Sequence, residues 1–189
     1  MTTTPGTTER RAAFELRAVT GDKPRLVGYA AVFDKASRDL GGFVEFVRPG
    51  AFKRSLAAGA DVVALVAHDS RMILGRTVAG TLALSEDGKG LAFDVELPAT
   101  SAARDLLVSV ERGDVAGASF AFTVPKGGDR WTFAKDGPAK RELLDVNLLD
   151  VTITAMPAYP DTEVALRSLG AARPSLAATW SRYYGDARC

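Results

Sequence analysis

The sequence predicts a mainly β domain with flanking helices, an α+β fold arranged as a small, mostly antiparallel barrel or sandwich. Three observations predict it. Short segments that alternate apolar and polar residues recur along most of the chain, and pairs of them are separated by tight turns rich in Gly, Asp and Pro. The one or two helical patterns are inserted among these segments instead of alternating with them, which argues against a doubly wound parallel sheet. At 189 residues, 47% of them hydrophobic, the chain suffices for one real core and leaves no room for a second full domain.

Residues 1–10 are rich in Thr, with Pro5 and Gly6, a composition that cannot bury enough apolar surface to order itself. They read as a flexible N-terminal arm, followed by a folded domain over residues 11–169. Residues 13–19 and 25–33 alternate on either side of Gly21-Asp22 and Pro24, the pattern of a β-hairpin. Phe43-Val44-Glu45-Phe46-Val47 is a short strand, and residues 53–58 form a short helix ended by Gly59. Val62-Val63-Ala64-Leu65-Val66-Ala67 is a continuous apolar run of strand length that stops at His68-Asp69-Ser70, so a buried strand delivers the histidine at its end.

Residues 81–85 and 91–97 form a second hairpin around a turn at 86–90. Ala103, Leu106, Leu107 and Val110 recur at helical spacing over residues 101–112, with Ser101 as cap and Gly113 as stop. Residues 115–124 follow as a strand whose small side chains bring backbones close together. Gly127, Gly128, Trp131, Gly137 and Pro138 mark an exposed excursion carrying a short strand at 131–133. Residues 141–153 are strongly β-like, Met156-Pro157-Ala158-Tyr159-Pro160 closes the ordered part, and residues 170–189 read as a disordered tail. No segment repeats internally.

Composition excludes several chemistries. With 24 Lys and Arg against 23 Asp and Glu, the net charge of +1 gives no overall drive toward nucleic acid or anionic membrane, so protein partners are expected. No apolar run approaches the roughly 20 residues needed to cross a bilayer, and the N-terminus has no apolar segment behind a basic start; a cytoplasmic protein is expected. The single cysteine, Cys189, makes an intramolecular disulfide impossible and reads as an incidental exposed thiol. With His68 the only histidine, zinc sites built from Cys and His are excluded by count, and no spaced acidic loop offers a hard-ion site. Neither a metal nor an organic cofactor is expected.

Three residues draw attention. Imidazole takes and returns a proton near neutral pH, and His68 stands at the end of a buried strand beside Asp69 and Ser70. In Gly113-Asp114-Val115-Ala116-Gly117-Ala118-Ser119-Phe120, alternation puts Ser119 on one face with Val115, Gly117 and Ala121, small neighbours that leave open space above a nucleophilic hydroxyl. Asp150 interrupts the apolar strand Leu148-Leu149-Asp150-Val151-Thr152-Ile153, and a buried carboxylate needs a partner such as a histidine. Asp145, Glu142 and Asp69 are rivals for that role. Each residue also fits a plainer reading: a structural imidazole, a hydroxyl satisfied inside a tight sheet, an edge carboxylate facing water.

Gly28-Tyr29-Ala30-Ala31-Val32-Phe33, Pro49-Gly50-Ala51-Phe52, Ala67-His68-Asp69, Leu74-Gly75-Arg76-Thr77, Gly80-Thr81-Leu82, the segment from Gly113 to Phe120 and Pro157-Ala158-Tyr159-Pro160 follow one another across residues 14–166. Together they resemble the prohead proteases of tailed bacteriophages, which are related to the herpesvirus assembly proteases. The resemblance implies an antiparallel β-barrel flanked by helices, with His68 and Ser119 as the catalytic pair. Herpesvirus enzymes of this fold use a second histidine as third member; this chain has none, so the role falls to an acid, with Asp150 the first choice, or is absent.

The resemblance further implies a serine endopeptidase of capsid maturation, packed as a precursor inside the procapsid in the host cytoplasm. Its implied partners are the major capsid protein, through its scaffold region, and the chain itself, through autocleavage or as a homo-oligomer. The basic tail after Leu169 suits such self-removal. The oxyanion donors are expected from backbone N–H groups of an Arg- or Gly-containing loop. The rival reading is a catalytically inactive scaffold or capsid-associated protein of the same fold, and a metal-dependent nuclease is disfavoured by the missing ligands.

Overall fold

The computed structural model describes residues 7–13, 15–134, 137–155 and 172. The first six residues of the expected arm, the segment 156–160 and, apart from Ala172, the expected tail with Cys189 lie outside the described residues. Within them the protein is mainly β with few helices, as the patterning predicts.

The strands are β1 (Glu9–Ala13), β2 (Glu15–Val19), β3 (Arg25–Val32), β4 (Phe43–Val47), β5 (Val63–Val66), β6 (Asp69–Arg76), β7 (Leu82–Glu86), β8 (Gly90–Glu96), β9 (Gly117–Thr123), β10 (Asp129–Thr132), β11 (Ala139–Leu143) and β12 (Asn147–Thr154). The helices are α1 (Lys53–Ala57) and α2 (Ser101–Glu111), with a single 3-10 turn at Thr77–Ala79. The strands pair into a five-stranded sheet in the order β1-β9-β12-β5-β6, a four-stranded sheet β2-β3-β8-β7 and a three-stranded sheet β10-β11-β4. None of these ladders closes on itself, so the pairing gives three sheets and no hydrogen-bonded ring.

Several elements depart from the expected bounds, each for a physical reason. Glu9 and Arg10, assigned to the flexible arm, pair with Phe122 and Ala121 in β1 because their partners lie more than a hundred residues away, where local composition gives no hint. Two ladders, β4 with β11 and β5 with β12, are parallel, a pairing that needs a long connection and leaves no turn signature. The stretch 141–153 is two strands separated at residues 144–146. The cap of α2 is Thr100, whose hydroxyl accepts from the Ala103 N–H at 3.3 Å, one residue ahead of the expected Ser101; Gly113 (φ +82°) ends the helix as expected. Gly28 in β3 has no room for a side chain, since a Cβ there would collide with the carbonyl oxygen of Glu15 on β2.

One face of the five-stranded sheet packs on the core. Phe120 and Phe122 of β9 stack at 5.0 Å, Phe120 meets Phe52 edge-on at 5.3 Å, and Phe52 stacks on Phe33 at 6.2 Å. Leu26, Leu91, Val95, Val151 and Ile153 complete this buried layer. Because strand side chains alternate, fixing Phe120 and Phe122 into the core turns Ser119 and Ala121 to the other face.

Between the five- and three-stranded sheets lies a buried ion network. Arg11 bonds Glu45 (2.6 Å) and Glu9 (2.9 Å), while Arg141 bonds Glu9 (2.6 Å), Glu45 (3.1 Å) and Asp129 (2.8 Å). Burial works against the Arg141 charge, but the hydrogen bonds and charges of Glu9, Glu45 and Asp129 hold its pKa above the ordinary arginine value. Removing one partner of such a network strands the opposite charges in a dry site. Arg141→Met is therefore expected to lower the unfolding free energy by about 3–5 kcal/mol in urea denaturation. A loss below about 1 kcal/mol, the range of an exposed pair, would contradict this reading.

Candidate active site

The strand β5 ends at Val66, and the chain reverses through Ala67 and His68 into β6. Both turn residues have positive φ, +50° and +57°. Two-residue hairpin loops of this kind match the twist of the flanking strands but ordinarily use Asn or Gly, because each L residue in the left-handed region costs roughly 1–2 kcal/mol. Here the loop carries Ala and His. The apolar run 62–67 thus delivers His68 as expected, but on the tip of a strained hairpin whose second arm, β6, the patterning does not reveal.

The imidazole bridges two groups carried by other strands. Its Nε2 lies 3.0 Å from the Ser119 Oγ, and its Nδ1 lies 2.9 Å from the Asp150 Oδ1. An ionised carboxylate only accepts hydrogen bonds, so with Asp150 ionised the proton sits on Nδ1 and Nε2 is left to accept the serine hydroxyl. The His68 and Asp150 side chains are 17% and 16% exposed, and Ser119 is 0% exposed. The expected open space above Ser119 is therefore filled. Gly117 and Ala121 are buried with it, because β9 is an interior strand between β1 and β12, and small side chains there draw neighbours in rather than leaving a gap.

A bulge puts Asp150 on the same face as Ser119. In the β9–β12 ladder Leu148 stands opposite Phe122, but the next pair is Asp150 with Ala121, so Leu149 is the extra residue. Without it Asp150 would fall opposite Phe120 and point into the core; a one-residue slip exchanges the two faces of a strand. With it Leu148, Val151 and Ile153 are buried, Leu149 is exposed, and Asp150 and Thr152 share the Ser119 side.

The three rival carboxylates are committed elsewhere. Asp145 pairs with Arg54 at 2.7 Å. Glu142 is held by Arg48 and Lys140, and the Arg48 hydrogen bond lowers its pKa. Asp69, next to His68 in sequence, turns away to Arg71 at 2.8 Å; that side-chain hydrogen bond and one from the Arg71 N–H lower its pKa from 3.8 to about 2. A depressed carboxylate contributes stability above its unfolded pKa and loses it only as pH falls through the folded value, so Asp69 stays charged at any neutral assay pH. Asp69→Asn is expected to leave turnover within about twofold of the parent; a hundredfold loss would return Asp69 to the site.

Thr152 is the residue the patterning misses. It is fully buried, stands opposite Ser119 in the ladder, and its Oγ1 accepts the His68 backbone N–H at 3.0 Å. Its one sequence signal is its place two residues after Asp150 on the same strand. Among the described residues no group of three or more His, Cys, Asp or Glu is placed to hold a metal ion, and no helix is long and apolar enough to cross a membrane.

A serine and a carboxylate bridged by one imidazole can carry out nucleophilic acyl transfer. The chain is similar to known proteins. A family model described as caudovirus prohead serine protease matches residues 12–174. The prohead protease of Enterobacteria phage HK97 is 31% identical over 149 residues, 77% of this chain, and the chain spans 62% of the length of that relative. The solved capsid assembly protease of bacteriophage T4 superposes with a TM-score of 0.48 at 9% identity, covering 79% of this chain and 99% of that one.

Proposed function

The chain belongs to the caudovirus prohead serine protease family, and from that premise we propose that it is a serine endopeptidase of prohead maturation whose catalytic residues are Ser119, His68 and Asp150. The observation that carries this reading is the His68 imidazole, hydrogen-bonded at 3.0 Å to the Ser119 Oγ and at 2.9 Å to the Asp150 Oδ1.

The chemistry follows from the two bonds. As the Ser119 Oγ attacks the scissile carbonyl carbon, His68 Nε2 takes the hydroxyl proton, and the Asp150 carboxylate stabilises the imidazolium that forms. Collapse of the tetrahedral intermediate breaks the C–N bond, and His68 returns the proton to the leaving amine. That leaves an ester between Ser119 and the acyl half of the substrate. Water then attacks the ester, giving its proton to Nε2, and Oγ departs with a proton from the imidazolium.

The substrates we assign are the scaffold region of the major capsid protein and the chain itself, cut inside the procapsid in the host cytoplasm, with a protease domain that takes in residues 11–169 and the Glu9 and Arg10 of β1. We also read the sheets as a barrel-like wrap. β1 belongs to the five-stranded sheet and β2, which follows it in the chain, to the four-stranded sheet, and β3 lies against β1 and β9. Association into a homo-oligomer is part of the same proposal. Coexpression of the chain with its major capsid protein tests the reading. The expected product is a capsid protein shortened at its N-terminus, with one new terminus by sequencing; a full-length capsid protein beside folded chain would favour an inactive scaffold-associated protein instead.

A further inference from the structure

The strand β12 meets all three groups of the proposed site. It carries Asp150, pairs with the strand of Ser119, and runs parallel to β5, which leads to His68. The β5–β12 ladder ends where the Ala67 N–H bonds the Ile153 carbonyl at 3.0 Å. The following N–H, that of His68, lies beyond the end of this ladder, in the turn where Ala67 and His68 both adopt the left-handed region. An N–H in this half-buried corner needs an acceptor, and the Thr152 hydroxyl supplies it at 3.0 Å.

From this we infer that Thr152 is a positioning residue of the proposed protease, pinning the strained turn that aims the His68 imidazole at Ser119 and Asp150. The inference rests on the proposed hydrolytic role of those three residues. Two features single out Thr152. Its side chain is fully buried with its hydroxyl on the His68 amide, and it stands directly across the ladder from Ser119. One residue therefore fixes the distance between the backbone of the proton acceptor and the strand of the nucleophile. Without the hydroxyl, the two non-glycine turn residues lose the side-chain bond that holds them in a disfavoured conformation, and the imidazole can swing away while the sheet stays paired. A misplacement of about 1 Å at reacting groups costs on the order of a hundredfold in rate.

Thr152→Val keeps the shape and removes the acceptor; Thr152→Ser keeps the acceptor. In a peptide-cleavage assay of the full chain, Thr152→Val is expected to lower kcat by about 30- to 100-fold with KM little changed, and Thr152→Ser to restore most of it. The downfield proton of the His68–Asp150 hydrogen bond, read by NMR, should broaden or vanish in Thr152→Val and return in Thr152→Ser. A residue that merely supports the fold would move the melting temperature without this signature. If the Val variant does not fold, Thr152→Ala is read in the same way. Active parent enzyme with an equally active, folded Thr152→Val or Thr152→Ala variant would overturn the positioning role alone, whereas an inactive parent would overturn the protease reading beneath it.

Discussion

Ser119→Ala leaves the capsid protein full-length on coexpression, with turnover reduced about 10⁵- to 10⁶-fold, the loss expected when an acyl-transfer enzyme loses its nucleophile. The Thr152 hydroxyl is not placed to substitute, since its oxygen is engaged with the His68 amide, and among the described residues it is the Ser119 Oγ that is bonded to Nε2. The substitution removes one buried oxygen and one hydrogen bond, a stability change of about 1 kcal/mol, so the variant should fold and remain soluble. Fold and activity thereby separate cleanly. Continued processing by a folded Ser119→Ala chain would remove Ser119 from the mechanism.

Asp150→Asn should cost about 10⁴-fold in turnover with the fold intact. The reason is tautomeric. A carboxylate accepts from Nδ1–H and leaves Nε2 free as a base, whereas the Asn amide can present its NH2 to Nδ1, driving the proton to Nε2 where it cannot accept from Ser119. The imidazolium also loses its counter-charge. Single-turnover kinetics on a labelled peptide would measure this directly. An undiminished Asp150→Asn enzyme would transfer the third role to Asp145, Glu142 or Asp69, each now bonded to an arginine, or to water.

Much of this arrangement is legible in the sequence because it depends on local pattern. The apolar run 62–67 ending at His68 and an Asp in a run of Leu, Val and Ile each mark a position that packing alone does not explain, and the small residues around Ser119 mark a tightly paired strand. The remainder depends on contacts between distant segments. Leu149 reads as one more apolar strand residue, and only the mismatch with β9 makes it the bulge that turns Asp150 toward Ser119. The turn at Ala67 and His68 lacks the Asn or Gly that ordinarily marks such a loop, so β6 goes unseen. Glu9, Arg11, Glu45 and Arg141 look like surface charges until three strands bring them together. Thr is a common strand residue, so beyond its place two residues after Asp150 nothing marks Thr152 until the His68 amide is seen to need its oxygen.

The central claim is that the Ser119 hydroxyl, activated by His68 and Asp150, is the group acylated by substrate. A peptidyl fluorophosphonate, which loses fluoride to an activated serine and traps it as a stable phosphonate ester, followed by tandem mass spectrometry of chain already seen to cleave, tests it most directly. One adduct on Ser119, with labelling slowed by orders of magnitude in Asp150→Asn, is the predicted result. An unlabelled Ser119 in a cleaving chain, or a single adduct on another residue, would contradict it.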